Sequence, residues 1–251
     1  MAATINADNG AVSGSAGLKS SADSTGVLAL QTNGTTAVSI SASQVVTLTN
    51  ALPVTSGGTG LTSIAHTVQV FTSGSGTYTL PANCKAIWVR CVGGGSSGAT
   101  YIADNATGGN TTFSTLSANA ASAGTGGRAG AGGTASGGDI NISGSAGGSG
   151  TASSTVPAAG NGGSSFFGGG GIGGIPGGAG SDAGTNSGSG GGGGAVSSTT
   201  GRAGGSAGGY CEKLINSPSA TYSYAVGAGG TAPANAGAGG AGLIIVMEFY
   251  V

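Results

Sequence analysis

The stretch "SSFFGGGGIGGIPGGAG", residues 164–180, constrains this chain more than any other. Glycine at that density excludes a helix interior or a long strand, because each glycine loses more backbone freedom on ordering than any other residue. Yet the stretch carries two phenylalanines and two isoleucines, which a flexible linker does not need. The wider tract, residues 117–209, shows a period. Gly124, Gly127, Gly130 and Gly133 share one phase of a three-residue repeat. Gly126, Gly132, Gly138, Gly144, Gly147 and Gly150 share a second, which returns at Gly162, Gly168, Gly171, Gly174, Gly177 and Gly180, while Gly160, Gly163, Gly169 and Gly178 repeat the first. Gly137, Gly170 and Gly173 break the pattern. A period of three is that of polyproline II. Collagen shares it but needs an unbroken repeat and much proline, and the chain has six prolines. The tract predicts a bundle of short glycine-rich polyproline II segments, closely approached on two of three faces. Polyproline II has no internal hydrogen bonds, so neighbouring segments must satisfy one another.

The flanks predict strands. Only 5% of residues are charged, against about 25% in ordinary proteins. A disordered chain combines high charge with low hydrophobicity, and this one has hydrophobic runs. In "AIWVRCV", Ile87, Val89 and Cys91 share one face and Trp88, Arg90 and Val92 the other. "NTTFSTL" (110–116) reads as a further strand, and "YCEKLIN", "TYSYAV" and "GLIIVMEFYV" as partners from the carboxyl end. Residues 66–116 and 210–251 are thus expected to close a β-sandwich, with 117–209 as one long glycine-rich insertion. Residues 1–64 carry short alternating runs: Leu28 and Leu30 before an Asn33-Gly34 hairpin turn, Val38 and Ile40 after it, then Val46 and Leu48. Such strands expose too little apolar surface to fold alone. They predict a stalk that oligomerises with other copies of the chain. The fold class is mainly β, with no substantial helix and two domains, 1–64 and 65–251.

The chemistry-bearing residues do not form a site. "GGGGIGG" contains Gly168-x-Gly170-x-x-Gly173, but no strand–turn–helix surrounds it and such matches arise by chance where glycine is dense. No Gly-Lys pair supports a phosphate-binding loop. His66 is the sole histidine, and Asp8, Asp23, Asp104, Asp139, Asp182, Glu212 and Glu248 are scattered. The expectation is a non-enzymatic protein without metal or cofactor. A net charge of −1 gives no broad attraction for nucleic acid or anionic membranes. "LIIVM" is too short to cross a bilayer, and "MAATINADNG" lacks the features of a signal peptide. Cys84 and Cys91 sit about 20 Å apart along one strand, too far to pair. Pairing of Cys91 with Cys211 stays open, and three free thiols suit assembly in a reducing cytoplasm.

"LPVTSGGTGLTS" (52–63) resembles a short segment common in bacteriophage tail fibres. "VFTSGSGTYTLPANCKAIWVRCVGGGSSG" is similar to the opening of the glycine-rich domain at the ends of many such fibres. "YCEKLINSPSATYSYAVGAGGTAPANAGAGGAGLIIVMEFYV" is similar to its closing part. The resemblance covers most of the chain. It implies a virion appendage, a homotrimer assembled in the host cytoplasm, with the carboxyl-terminal domain distal. The amino-terminal part would attach to another virion protein. It also implies that the tip loops of a glycine-rich bundle bind a bacterial surface receptor, a glycan or an outer-membrane protein. The short region before residue 64 has no recognisable large anchoring domain. The alternative is therefore a capsid head fibre or decoration protein serving particle stability or weak surface attachment.

Loops on a rigid scaffold carry binding function. The stretches "TYIADNAT", "DINIS", "SSTVPAA", "SSFF" and "AVSSTT" interrupt the glycine runs, and aromatic rings add contact area at low conformational cost. The expected receptor-contacting residues are Tyr101, Phe166 and Phe167, grouped near one tip; the alternative for the two phenylalanines is that both plug an end of the bundle.

Overall fold

The computed structural model describes residues 28–32, 35–43, 45–48, 65–100, 104–125, 127–151, 157–195 and 201–250. It divides into two units, Met1–Ser63 and Ile64–Val251. No helix occurs among the described residues.

The first unit is an antiparallel meander of β1 (Leu28–Thr32), β2 (Thr35–Ile40) and β3 (Val46–Leu48). Thr32 pairs with Thr35, so a two-residue connection closes the hairpin. The Asn33-Gly34 pair expected there lies outside the described residues. Leu30, Val38 and Leu48 are successive cross-strand partners and share a face. Leu30 and Leu48 remain 44% and 42% exposed, so this small sheet does not bury its own apolar side.

The second unit joins a β-sandwich to a glycine-rich bundle. Sheet B consists of β4 (Ala65–Phe71), β6 (Cys84–Val92), β10 (Ile140–Ile142), β11 (Tyr210–Asn216) and β13 (Leu243–Tyr250), in the order β10-β11-β6-β13-β4. Sheet C consists of β5 (Ser75–Thr79), β7 (Thr111–Phe113), β8 (Leu116–Ala118), β9 (Ala135–Ser136) and β12 (Thr221–Ala225), in the order β5-β12-β7-β8-β9. The alternation read in the sequence sets the core. Ile87, Val89 and Cys91 of β6, with Ile244 and Val246 of β13, meet Tyr78, Phe113 and Leu116 of sheet C. The "NTTFSTL" stretch is a hairpin rather than one strand. It reverses between β7 and β8, where Ser114 takes a φ of 53°. All three cysteines are free and buried, and Cys91 and Cys211 are cross-strand partners.

The bundle is ordered by hydrogen bonds that step by three. Along residues 93–100, the N–H groups of 93, 96 and 99 donate to the carbonyls of 209, 206 and 203. Those of 94 and 97 donate to 109 and 106, and those of 95 and 98 to 240 and 237, all at 2.9–3.0 Å. One segment thus addresses three neighbours in rotation, as a helix of three residues per turn must. Residues 190–195 repeat the scheme: 190 and 193 donate to 163 and 160, 191 and 194 to 96 and 99, and 192 and 195 to 181 and 178. These contacts leave no room for a side chain. A Cβ on Gly98 would lie 1.9 Å from the carbonyl oxygen of Gly192.

The structure redraws the insertion. Residues 93–100, 104–110 and 226–242 belong to the bundle although they lie outside 117–209, and the 93–100 segment runs through its interior. Conversely β9 and β10 fall within 117–209, and β8 runs into it from Leu116, yet all three extend the sheets. An internal polyproline II segment needs neighbours on every side, and the chain leaving β6 and entering β13 supplies them. The phase count also changes. In residues 168–175 the outward phase is that of Gly169, Ile172 and Ile175. A Cβ on Gly169 would meet nothing within 4 Å, and Ile172 and Ile175 are 71% and 76% exposed. Gly170 and Gly173, which break the pattern in sequence, face neighbours across 2.0 and 2.3 Å. Each connection between segments resets the rotation, so a phase counted through it does not mark one face.

Candidate functional site

The ladders give the bundle two ends. At one, Gly93 follows β6 directly and Gly209 precedes β11, so this end joins the sandwich. The other end lies seven residues along, about 20 Å away at ~3.1 Å per residue. There the backbone contacts Ala99 N to Ala203 O (3.0 Å), Gly201 N to Thr151 O (2.8 Å) and Arg202 N to Gly194 O (3.2 Å) gather three pairs of flanking residues. These are Thr100 with Asp104, Thr151 with Pro157, and Ala195 with Gly201. The described residues that flank "TYIADNAT", "SSTVPAA" and "AVSSTT" therefore stand at one end. Tyr101 itself lies outside the described residues. The Ile175–Gly178 turn closes at this same end, with Gly178 N donating to Ile175 O at 2.7 Å and Gly177 N to Ala195 O at 2.6 Å. Gly177 takes a φ of 78° there, which a side chain disfavours.

The other two interruptions belong elsewhere. "DINIS" contributes β10, the edge of sheet B. "SSFF" turns at the sandwich end. Ser165 Oγ donates to Ser187 O, and Phe167 N donates to Ser165 Oγ at 3.1 Å. Ser189 Oγ donates to Gly168 O at 2.7 Å. The turn lays Phe166 on Tyr210 of β11, with centroids 3.9 Å apart and planes 11° from parallel, and Phe167 against both rings edge-on. The expected grouping of Tyr101 with Phe166 and Phe167 at one tip falls partly on a residue outside the described ones, and only the two phenylalanines can be placed. The two phenylalanines meet each other at the sandwich end, whereas Thr100 and Asp104 stand at the other end.

Arg90 sits inside this aromatic group. Its guanidinium carbon lies 5.1–5.9 Å from the ring centroids of Trp88, Phe166, Phe167 and Tyr210. Arg90 Nε donates to the Tyr210 hydroxyl at 2.9 Å, and that hydroxyl donates to Glu212. Burial and the bond to Glu212 push the Tyr210 phenol up to about 12, against the lowering effect of Arg90. Beside the group lies a concavity of about 200 Å³, lined by Ile142, Ser145, Ser164, Phe166 and Tyr210 among others. The sequence offered a signal for this cluster in the outward alternation of Trp88 and Arg90. It offered none for the long-range partner, Phe166.

Two carboxylates brace the backbone. Asp139 accepts from Leu214 N (3.0 Å) and Asp182 from Ala238 N (2.6 Å). His66 is exposed on β4. No group of three or more His, Cys, Asp or Glu that could hold a metal occurs among the described residues. No family model and no curated protein sequence matches this chain.

Proposed function

We propose that this chain is a structural appendage of a bacteriophage particle, a tail-fibre protein that contacts a bacterial surface receptor through the end of its glycine-rich bundle remote from the sandwich. One observation carries the reading. The period-three ladder makes a stiff scaffold, and the described residues flanking three of its connections, Thr100 and Asp104, Thr151 and Pro157, and Ala195 and Gly201, gather at the same end. A rigid body that presents clustered loops is how binding surfaces are commonly built. The tail-fibre resemblance of residues 52–63 and of the opening and closing segments supports the same assignment. The two exposed isoleucines, Ile172 and Ile175, lie one turn apart on the outward face and add apolar contact area next to the loops. Recognition is non-enzymatic and rests on shape, apolar contact and neutral hydrogen bonds. The homotrimer forms through residues 1–64, which also attach to another virion protein.

The test is competition. Purified chain should block adsorption of the parent particle to its host, and Ile172→Asp with Ile175→Asp should abolish the block while leaving the melting temperature unchanged. Failure of the native chain to compete at saturating concentration would sink the receptor-binding reading. Localising the chain on the capsid by cryo-electron microscopy would move it to a head fibre or decoration protein.

A further inference from the structure

The two outer faces of the sandwich differ in kind. On sheet C the outward row Ser75–Ala225–Thr112–Ser117–Ser136 crosses all five strands, and Thr77–Ser223 and Thr79–Thr221 lie beside it. Apart from Ala225, every member is a hydroxyl residue, as suits a face in water. On sheet B one outward row is Leu214–Trp88–Met247–Val68, and the next is Ile140–Glu212–Arg90–Ile245–Val70. Leu214, Val68, Val70 and Ile140 are 47–54% exposed. The only charges in these two rows, Arg90 and Glu212, neutralise each other at 3.5 Å.

From this contrast we infer that the outer face of sheet B is an interface, and that it is covered by the same face of other copies of this chain. Five strands spaced ~4.8 Å apart and about seven residues long at ~3.3 Å rise give a face of roughly 500 Å². That is at the upper end of the apolar patches monomers expose. Two such faces together remove about 1,000 Å² from water, the lower bound for a specific association. A second copy fits for two further reasons. A pleated face of Val, Ile, Leu and Met, with the half-exposed Phe166 ring laid over Tyr210 at its bundle end, is matched by another sheet packed ~10 Å away. A face whose one ion pair is internally balanced brings no net charge against itself. The inference does not depend on the chain being a phage protein.

Trp88, the sole tryptophan of the chain, sits within this face and reports on it. Acrylamide quenching of Trp88 and light scattering are measured together on the full chain across a dilution series. Where the mass is a multiple of 22.7 kDa, Trp88 should be shielded. In Val68→Lys with Leu214→Lys, its quenching constant should rise at least about threefold, even if residues 1–64 still hold the copies together. Thr77→Lys with Thr221→Lys, on the hydroxyl face, should leave quenching unchanged. The three buried thiols check that each variant is folded, since they should react only on unfolding. Three results would overturn the proposal: Trp88 equally quenchable at every concentration and in the lysine variant, Trp88 shielded in a chain of monomer mass, which would mean that the chain's own residues cover the face, or a hydroxyl-face variant that opens Trp88 as much.

Discussion

The Tyr78 hydroxyl donates a 2.7 Å hydrogen bond to Glu248 Oε1, joining sheet C to sheet B through a carboxylate that is 1% exposed. Thr67, Gln69 (2.6 Å) and the Tyr250 hydroxyl (3.1 Å) donate to the same carboxylate. Burial alone would raise the Glu248 carboxyl, but the four donors outweigh it and hold it below its usual range. Burial and the bond to Glu248 raise the Tyr78 phenol. A carboxyl lowered in the folded state stabilises the fold above its unfolded value, about 4.3. That contribution is lost as pH falls through the lowered folded value. Urea unfolding should therefore show stability falling in acid, with a shallower fall in Glu248→Gln. Tyr78→Phe should cost about 1–3 kcal/mol at neutral pH, the range for losing a bond to a charged group. Identical acid profiles for native and Glu248→Gln chains would refute the account.

Gly171 and Ala179 lie eight residues apart in the same glycine-rich stretch but should respond oppositely to one substitution. A Cβ on Gly171 would sit 2.1 Å from Ser181 O and 2.6 Å from Gly192 N, both backbone atoms that cannot yield without breaking the ladder. Ala179 is exposed. Gly171→Val should abolish cooperative melting or lower the melting temperature by many degrees. Ala179→Val should stay within about 0.5 kcal/mol of native, as surface changes do. Equal melting temperatures for the two would mean that the ladder is not present in solution.

The Ser206 hydroxyl is inserted in a backbone ladder. Gly144 N donates to Gly133 O and Gly150 N to Gly127 O. Between them Ser206 Oγ accepts from Gly147 N at 3.1 Å and donates to Gly130 O at 2.6 Å. Removing the hydroxyl orphans a donor and an acceptor at once. Ser206→Ala should cost about 1–3 kcal/mol, and hydrogen exchange of the Gly147 amide should accelerate. Unchanged protection at Gly147 would contradict this.

Phe166 and Phe167 pack on Tyr210 and Arg90, at the sandwich end. Phe166→Ala with Phe167→Ala should lower stability by about 1–3 kcal/mol through lost stacking and burial. Competition for host adsorption should survive in this variant while failing in the Ile172/Ile175 variant. Loss of adsorption by a folded Phe166/Phe167 variant would shift the receptor contact to the sandwich end.

Residues 1–64 supply a sheet whose apolar side, with Leu30, Val46 and Leu48 at 42–60% exposure, lacks cover in the single chain. Light scattering on the full chain should give three times 22.7 kDa. Leu30→Lys with Leu48→Lys should reduce that mass. A native chain that remains monomeric at micromolar concentration would rule out the trimer.

Much of this protein was legible locally. Period-two alternation separated the two faces of β6, because side chains of one strand alternate whatever lies across from them. The period-three glycines announced segments of three residues per turn for the same kind of reason. Tertiary structure alone decided which glycine phase faces inward, since each connection turns the next segment by an amount its own residues do not encode. It also decided that residues 93–100 run through the bundle interior, through bonds such as Ser96 N to Ser206 O that span 110 positions. Glu248 follows the alternation of β13 into the core, but its charge reads as a surface residue until Thr67, Gln69 and Tyr78 arrive from strands more than 160 residues away. Phe166 and Phe167 stand in a loop, and the sequence leaves open whether they contact a partner or plug an end of the bundle. Which end that loop occupies depends on the direction in which the preceding segment runs through the bundle, and only hydrogen bonding to distant neighbours sets that direction.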